Sequence, residues 1–210
     1  MARRSSPHDS LAPLSEAGGS TVFPDPAPLL VASGLEPDQV VRILSAYGLV
    51  NPVDADTNIQ SMAGEPHTRR LLVGILPRLL AEVAHTADPD QALNHWERLF
   101  TGSANRSSLL QYLQASPRML GLLCTIFGNS DSLAFALIRD PMLVYWLAEE
   151  EVLTAAPTRD GMVAALRQSL GSLKATELKL DVLRRVRRRE MLRIGVRDLL
   201  RLATVEETVG

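Results

Sequence analysis

Most of the chain repeats apolar residues at the three- and four-residue spacing of an α-helix. The clearest case is residues 89–102, where Leu93, Trp96, Leu99 and Phe100 share one face. No segment alternates apolar and polar residues between turn signals, as a half-buried strand would. From about residue 34 onward the pattern therefore predicts an all-α protein, an irregular helical bundle that ends in a long arginine-rich helix.

Prolines and glycines predict where the helices begin and end. Pro37 suits a first helical turn, and breaks at Ser116-Pro117, Gly128-Asn129 and Asp140-Pro141 divide residues 105–151 into four short helices. Pro77 lies inside the apolar run of residues 65–89, which predicts a kinked or broken helix. Residues 51–64 are polar, and we expect a loop or a short helical turn there.

The same pattern divides the chain into three parts. Residues 1–33 are rich in Ser, Pro, Gly and Ala without sustained periodicity, which predicts a flexible, disordered N-terminal tail. Residues 34–174 form the predicted helical bundle. Residues 175–210 hold the long helix, which we expect to run from about Ala175 to Leu202.

Composition narrows the possible classes of protein. The net charge is −2 with a pI near 6.1, which disfavours non-specific nucleic-acid binding. The apolar runs are shorter than the ~18 residues that span a bilayer, and the N-terminus has no apolar core of a signal peptide. Cys124 is the only cysteine and lies among apolar neighbours, which predicts a buried, unreactive thiol. We expect a cytoplasmic protein.

The arginine-rich stretch, residues 183–200, holds seven arginines in eighteen residues. At 100° per residue the arginines point in several directions, unlike the single basic stripe of a helix that enters a nucleic-acid groove. One broad face, with Arg187 at its edge, joins Glu190 to four other residues: Leu183, Val186, Ile194 and Arg197. We therefore expect Glu190 to be at least partly removed from water.

Three roles for these charges remain open. The first is a docking network of five residues that fastens the helix to another element: Arg187, Glu190, Arg193, Arg197 and Asp198. Arg187 and Arg193 each lie one turn from Glu190. The second role is a solvated helix face with weak surface ion pairs, and the third is nucleic-acid binding, which the net charge disfavours.

The stretch LRRVRRREMLRIGVRDLLRLATVEETVG resembles the segment that leads into the catalytic domain of the glutamine synthetase adenylyltransferase/adenylyl-removing family. The resemblance extends upstream through ALNHWERLF and LLQYLQASPRMLGLLCTIFGNSDSLAFALIRDPMLVYWL and covers roughly residues 88–210. It implies a bifunctional enzyme that transfers AMP to a tyrosine of glutamine synthetase and removes it again. In the family a nucleotidyltransferase domain follows, with a segment similar to GGxELNxxSDxDL whose carboxylates hold Mg²⁺ while ATP reacts.

This chain contains no such segment. Its Gly18-Gly19 pair precedes Ser20 and Thr21, and the Asp54-x-Asp56 pair lacks a glycine turn. The four histidines have no metal-binding spacing. We therefore assign no catalytic, cofactor-binding or metal-binding residue, and we expect the isolated chain to be inactive.

The resemblance implies the N-terminal helical part of such an enzyme, either truncated or separately encoded, acting as a scaffold or docking region. Its implied partners are glutamine synthetase and the missing nucleotidyltransferase domain. The alternative is a stand-alone helical protein-interaction module without a link to nucleotidyl transfer. The weakest hypothesis is an arginine-mediated binder of RNA or DNA.

Overall fold

The computed structural model describes residues 22–31, 35–155, 158–171 and 174–202. The described residues form helices and no strand, which confirms the predicted all-α fold. In chain order the helices are α1 Pro28–Val31, α2 Pro37–Ala46, α3 Pro52–Ala63, α4 Pro66–Ala84, α5 Pro89–Gly102, α6 Arg106–Ala115, α7 Pro117–Asn129, α8 Asp131–Arg139, α9 Met142–Leu147, α10 Glu150–Thr154, α11 Arg159–Leu170 and α12 Thr176–Leu199.

The centre of the core lies where α5 packs against α3, α7 and α8. Next to it, α4 packs against α6 and α7. Trp96 is fully buried there, 5.0 Å from the ring of Phe127 in an edge-to-face arrangement and 5.6 Å from the stacked ring of Phe100. Aromatic residues are few in this chain, so concentrating three of them at one junction gives it much of its buried apolar area.

The N-terminal segment departs from the sequence prediction. The prediction of a flexible tail is wrong for residues 22–31, because Leu29 and Leu30 are buried and Phe23 stacks on Tyr47 at 4.6 Å. The Tyr47 hydroxyl also donates a hydrogen bond to the carbonyl of Pro24 at 2.7 Å. The burial of two leucines and the stacking of one aromatic ring thus hold this segment against the bundle despite the three prolines nearby. Residues 1–21 and 32–33, also assigned to the tail, lie outside the described residues.

The prediction of a loop or a short helical turn for residues 51–64 is wrong, since the 12-residue helix α3 occupies Pro52–Ala63. Pro52 is its first residue, a position where the missing amide hydrogen costs nothing. The Asp90 carboxylate accepts hydrogen bonds from the backbone amides of Val50 at 2.8 Å and Asn51 at 3.0 Å. A side chain from α5 therefore fixes the start of α3, and local sequence does not reveal that contact.

Proline has different effects at different places in the bundle. α6, α7 and α8 end within one residue of the three predicted breaks, and the Ser130 hydroxyl caps α8 by accepting the Leu133 amide at 3.4 Å. In contrast, α4 runs through Pro77 without a break. Pro77 is exposed, while Leu76, Leu79 and Leu80 around it are buried. The carbonyl that the proline leaves without a donor therefore lies on the side that faces water.

The C-terminal part is less enclosed than the rest. α11 has no buried residue, and α12 is buried only at Leu192, Val196 and Arg197. α12 begins at Thr176 and ends at Leu199, close to the predicted bounds; residues 203–210 lie outside the described residues. Within the described ranges, no helix combines the length and apolar composition that crossing a bilayer requires.

Close backbone packing between α7 and the end of α4 gives a testable prediction. A methyl group at Gly128 would lie 2.3 Å from both Cβ and Oγ1 of Thr86. We expect Gly128→Ala to lower the free energy of unfolding by roughly 1–3 kcal/mol, because this position cannot accept a Cβ without backbone movement. Denaturant unfolding followed by circular dichroism measures the change.

Gly121→Ala in the same helix is the matched control. Its methyl group would meet only the flexible Glu82 side chain, 3.4 Å away at the closest atom. We expect this substitution to be neutral or slightly stabilising, because alanine favours helix by up to about 1 kcal/mol over glycine. Equal effects of the two substitutions would contradict the proposed close approach at Gly128.

Candidate functional site

The arginine-rich helix α12 is attached to the protein by its C-terminal half. Leu192 and Val196 have no exposed surface, and this half packs against α8 and α10. Gly195 lets α12 come close to α8, since a Cβ there would lie 2.6 Å from Cδ2 of Leu133. Between Lys174 and Arg187, by contrast, only Val182 and Val186 are even half-buried. The burial thus changes along one continuous helix.

Arg197 is the most buried charged residue among those described, with 5% of its surface exposed. Its Nη1 donates a hydrogen bond to the backbone carbonyl of Leu153 in α10, and its Nη2 donates to the carbonyl of Leu202 at 3.2 Å. One guanidinium therefore joins α12 to α10 and to the chain that leaves α12. Its planar fork of donors suits two acceptors at once, whereas a lysine ammonium is a single point of charge.

The chain after α12 turns through a Schellman motif. Leu200 is the C-cap, the amide of Arg201 donates to the carbonyl of Asp198 at 2.9 Å, and the amide of Leu202 donates to the carbonyl of Arg197 at 2.8 Å. Arg201 adopts a φ of +55°, in the left-handed region where glycine is usual. Because Arg197 also holds the Leu202 carbonyl by its side chain, the exit of the chain is fixed from two sides.

The structure brings together some of the five predicted network residues. Arg193 forms an ion pair with Glu190, and their side chains are 16% and 23% exposed. Arg187 and Asp198 are exposed, so the structure does not bring them into this pair. The buried Nε of Arg193 has no hydrogen-bond partner among the described residues. The pair is therefore incompletely satisfied, while Arg197 is the more enclosed group. A docking role for the set as a whole stays a prediction.

Glu190 is partly removed from water, as expected, but Leu183 on the same helical face is 39% exposed. A helical wheel assumes that the neighbours of a helix are constant along its length, but Leu133 of α8 and Leu153 of α10 approach α12 in its C-terminal half, at Gly195 and Arg197. Sequence reasoning also missed Arg189, whose guanidinium carbon lies 4.4 Å from the ring centroid of Trp146 in α9. This cation–π contact attaches α12 to α9, in addition to the buried apolar residues of α12 and the hydrogen bonds of Arg197. Only the fold brings Arg189 and Trp146 together.

The remaining groups with potential chemistry have structural positions. Cys124 is buried as predicted, and its thiol lies 3.9 Å from the Leu79 carbonyl; burial raises the pKa of the thiol to about 12. His95 is also buried, with Nδ1 3.0 Å from the Phe127 carbonyl and Nε2 3.2 Å from the Asp131 carboxylate. It links α5 to α7 and α8. Among the described residues, no group of three His, Cys, Asp or Glu side chains could hold a metal ion.

The hierarchy of burial along α12 predicts a hierarchy of stability effects. We expect Arg197→Ala to cost about 3 kcal/mol, because two backbone carbonyls lose a charged donor in a buried place. Glu190→Ala should cost roughly 1–2 kcal/mol, since Arg193 loses its partner but keeps partial access to water. Arg184→Ala should cost at most about 1 kcal/mol, because this arginine pairs with Asp181 while 70% exposed.

Urea unfolding of the four proteins, parent and variants, measures these differences. Arg197→Lys should recover only part of the loss, because lysine keeps the charge but cannot reach both carbonyls with a planar fork. Equal effects at Arg197 and Arg184 would contradict the proposed attachment.

Arg201, the residue with left-handed backbone in the Schellman motif, is a position where a substitution should increase stability. We expect Arg201→Gly to raise the free energy of unfolding by up to about 1 kcal/mol, because glycine adopts positive φ without the steric cost of a Cβ. Arg201→Ala, which keeps the Cβ, should leave stability nearly unchanged and serves as the control for the lost side chain. A loss of stability with glycine would contradict the assigned turn.

Comparison with known proteins relates the chain to one family. A family profile described as glutamate-ammonia ligase adenylyltransferase matches residues 120–210, from α7 through α12 to the end. A bifunctional glutamine synthetase adenylyltransferase/adenylyl-removing enzyme of Corynebacterium glutamicum is 28% identical over 178 residues, which is 82% of this chain and 17% of that protein. The enzyme of the same name from Mycobacterium leprae is 30% identical over 188 residues, 87% of this chain and 18% of that protein.

A third relative of the same name, from Aromatoleum aromaticum, is 30% identical over 142 residues, 67% of this chain and 15% of that protein. The chain thus spans less than a fifth of the length of these curated relatives. The match covers both the helical body and the arginine-rich helix, as the resemblance in the sequence predicted. By its sequence, therefore, the chain belongs to the glutamine synthetase adenylyltransferase family and corresponds to one region of those proteins.

Proposed function

We propose that this chain is a non-catalytic helical scaffold within the machinery that transfers AMP to a tyrosine of glutamine synthetase and removes it. In this proposal the helical body supports α12, and α12 sets the position of the nucleotidyltransferase domain that does the chemistry. Glutamine synthetase and that domain are the proposed partners.

The observation that carries the proposal is the way α12 is fastened. Arg197 ties α12 to α10 and to the outgoing chain, and the Schellman motif fixes the direction in which residue 202 leaves the helix. The family match covers this whole region and extends to residue 210. A rigidly held helix exit is what a scaffold needs, because catalysis is sensitive to displacements of reacting groups by about 1 Å.

The chemistry of AMP transfer supports a division of labour between this chain and another domain. The reaction needs carboxylates that hold Mg²⁺ against the phosphates of ATP. The Asp54-x-Asp56 pair of this chain lies within α3, where residues two apart point to different sides. Asp56 also accepts a hydrogen bond from Gln60 at 3.2 Å. We therefore propose that ATP and Mg²⁺ bind elsewhere in the complete machinery.

The first test is direct. We expect the purified chain, incubated with ATP, Mg²⁺ and glutamine synthetase, to transfer no AMP to the tyrosine and to remove none in the presence of phosphate. Intact-mass spectrometry of glutamine synthetase measures both reactions. The Corynebacterium glutamicum relative is the positive control, and metal-dependent turnover by the chain alone would contradict a purely supporting role.

A chimera tests the supporting role itself. The matched region of the Corynebacterium glutamicum relative is replaced by the corresponding residues of this chain. We expect the chimera to retain AMP transfer, and Arg197→Ala in the chimera to lower kcat by at least about tenfold while Arg184→Ala leaves it within about twofold. An active chimera that is insensitive to Arg197→Ala would contradict the proposed positioning by α12.

The exposed state of α11 and of the first half of α12 favours the alternative of a stand-alone helical interaction module. The chimera separates the two possibilities. A scaffold supports catalysis in the chimera, whereas an unrelated interaction module leaves it folded but inactive.

A further inference from the structure

α11 and the N-terminal half of α12 form a two-helix arm in which no described residue is buried. In α11 the half-buried residues are Met162, Leu166 and Leu170, each four positions apart, and α11 packs against α12. On α12 the half-buried residues of the arm are Val182 and Val186. The seam between the two helices is therefore narrow, and it covers only one side of α12.

Another side of α12 has a distinct composition. Five exposed residues lie within about 100° of arc on the helical wheel, and the centre of this arc is about 130° from the side that holds Val182 and Val186. We call this surface the basic–apolar strip: Leu180, Leu183, Arg184, Arg187 and Met191. Leu180 is 44% exposed and Met191 is 60% exposed. From Leu180 to Met191 the strip extends about 16 Å along the helix.

Charge indicates what kind of surface would cover the strip. α12 carries eight basic and four acidic side chains, a net +4 in a chain whose total is −2. Within the strip both charged residues are arginines, and Arg184 remains 70% exposed although it pairs with Asp181. A partner with apolar residues on both sides of a pair of carboxylates would cover the leucines and the methionine while meeting both guanidinium groups.

The same composition disfavours other occupants. Two copies of this chain meeting strip to strip would bring arginines against arginines, since a two-fold contact pairs each patch with itself. A nucleic acid would meet apolar side chains on both sides of the two arginines, where phosphate finds no donor. A bilayer surface prefers a helix with its apolar residues on one face and its basic residues on another, whereas here both share one face.

We propose that the basic–apolar strip is a docking site for an acidic amphipathic helix of a partner protein. The helical form follows from the straight, narrow shape of the strip. A parallel or antiparallel partner helix can lie along it with its own apolar stripe against the strip. The proposal goes beyond the scaffold role, because it needs neither AMP transfer nor a nucleotidyltransferase domain.

The test uses the full 210-residue chain and two fluorescein-labelled synthetic peptides of about 16 residues, a little over four helical turns. Both peptides carry leucines at helical three- and four-residue spacing. They differ only at their charged positions, which are glutamates in one peptide and lysines in the other. Fluorescence anisotropy measures binding at low and at moderate salt. We expect the glutamate peptide to bind at least about tenfold more tightly than the lysine peptide, with the difference shrinking as salt is added.

Matched double variants locate the contact. Arg184→Glu with Arg187→Glu should reverse the preference between the two peptides. Lys179→Glu with Arg185→Glu makes the same change in net charge outside the strip, and it should keep the preference for the glutamate peptide. Leu183→Ser should weaken binding of the glutamate peptide by at least about fivefold, because it removes apolar contact. Circular dichroism verifies that every variant remains folded.

Several outcomes would overturn the proposal. They are equal or absent binding of the two peptides, equal effects of the two double variants, and binding of anionic phospholipid vesicles or duplex DNA that Arg184→Glu with Arg187→Glu abolishes. A concentration-dependent dimer of the parent chain that Leu183→Ser dissociates would assign the strip to self-association instead. The peptide measurements do not depend on AMP transfer, so failure here and failure of the chimera are distinguishable.

Discussion

The attachment of α12 depends on a buried guanidinium. Arg197 has little access to water, and a buried charge needs hydrogen-bond acceptors at defined positions. It finds the Leu153 carbonyl on α10 and the Leu202 carbonyl beyond the helix end. Both acceptors are backbone groups, so their positions are set by the path of the chain. Burial of Arg197 therefore requires α10, the last turn of α12 and the outgoing residues to be in their native arrangement together.

The other arginines of α12 show how position decides the role of the same residue type. Arg189 stacks over Trp146, and Arg193 pairs with Glu190 at the edge of the buried region. Further toward the N-terminus, Arg184 and Arg187 remain exposed beside leucines that are also exposed. One end of the helix is therefore held by the body, while the other presents an accessible surface. A single arginine-rich stretch thus contains both attached and exposed arginines, because its neighbours change along its length.

The predictable parts of the fold are those governed by local chemistry. The proline breaks after Ser116 and Asp140 were predicted correctly, because proline restricts the residue before it wherever it occurs. The break predicted at Gly128-Asn129 lies one residue later, at Ser130, whose hydroxyl caps α8. The missed parts depend on distant partners. α3 begins where Asp90 of α5 holds two amides, and residues 22–31 are ordered because Phe23 stacks on Tyr47.

The candidate site follows the same division. The ion pair between Glu190 and Arg193 could be foreseen, because a three-residue spacing on a helix brings side chains within reach. The partners of Arg197 could not, since Leu153 is 44 residues away and contributes only its backbone. The role of Trp146 beneath Arg189 was hidden for the same reason. The family resemblance was visible from the sequence because it depends on residue identities, not on contacts.

Hydrogen exchange of the native protein, followed by mass spectrometry with peptide-level resolution, tests this division of α12 most directly. Amides in residues 192–199 should exchange only by large-scale unfolding, whereas those in residues 176–187 and in α11 should exchange at least about a hundredfold faster by local opening. In Arg197→Ala, residues 192–199 should join the fast group while α5 and α7 keep their protection. Uniform protection along α12, or unchanged protection of residues 192–199 in Arg197→Ala, would contradict the central role of the buried guanidinium.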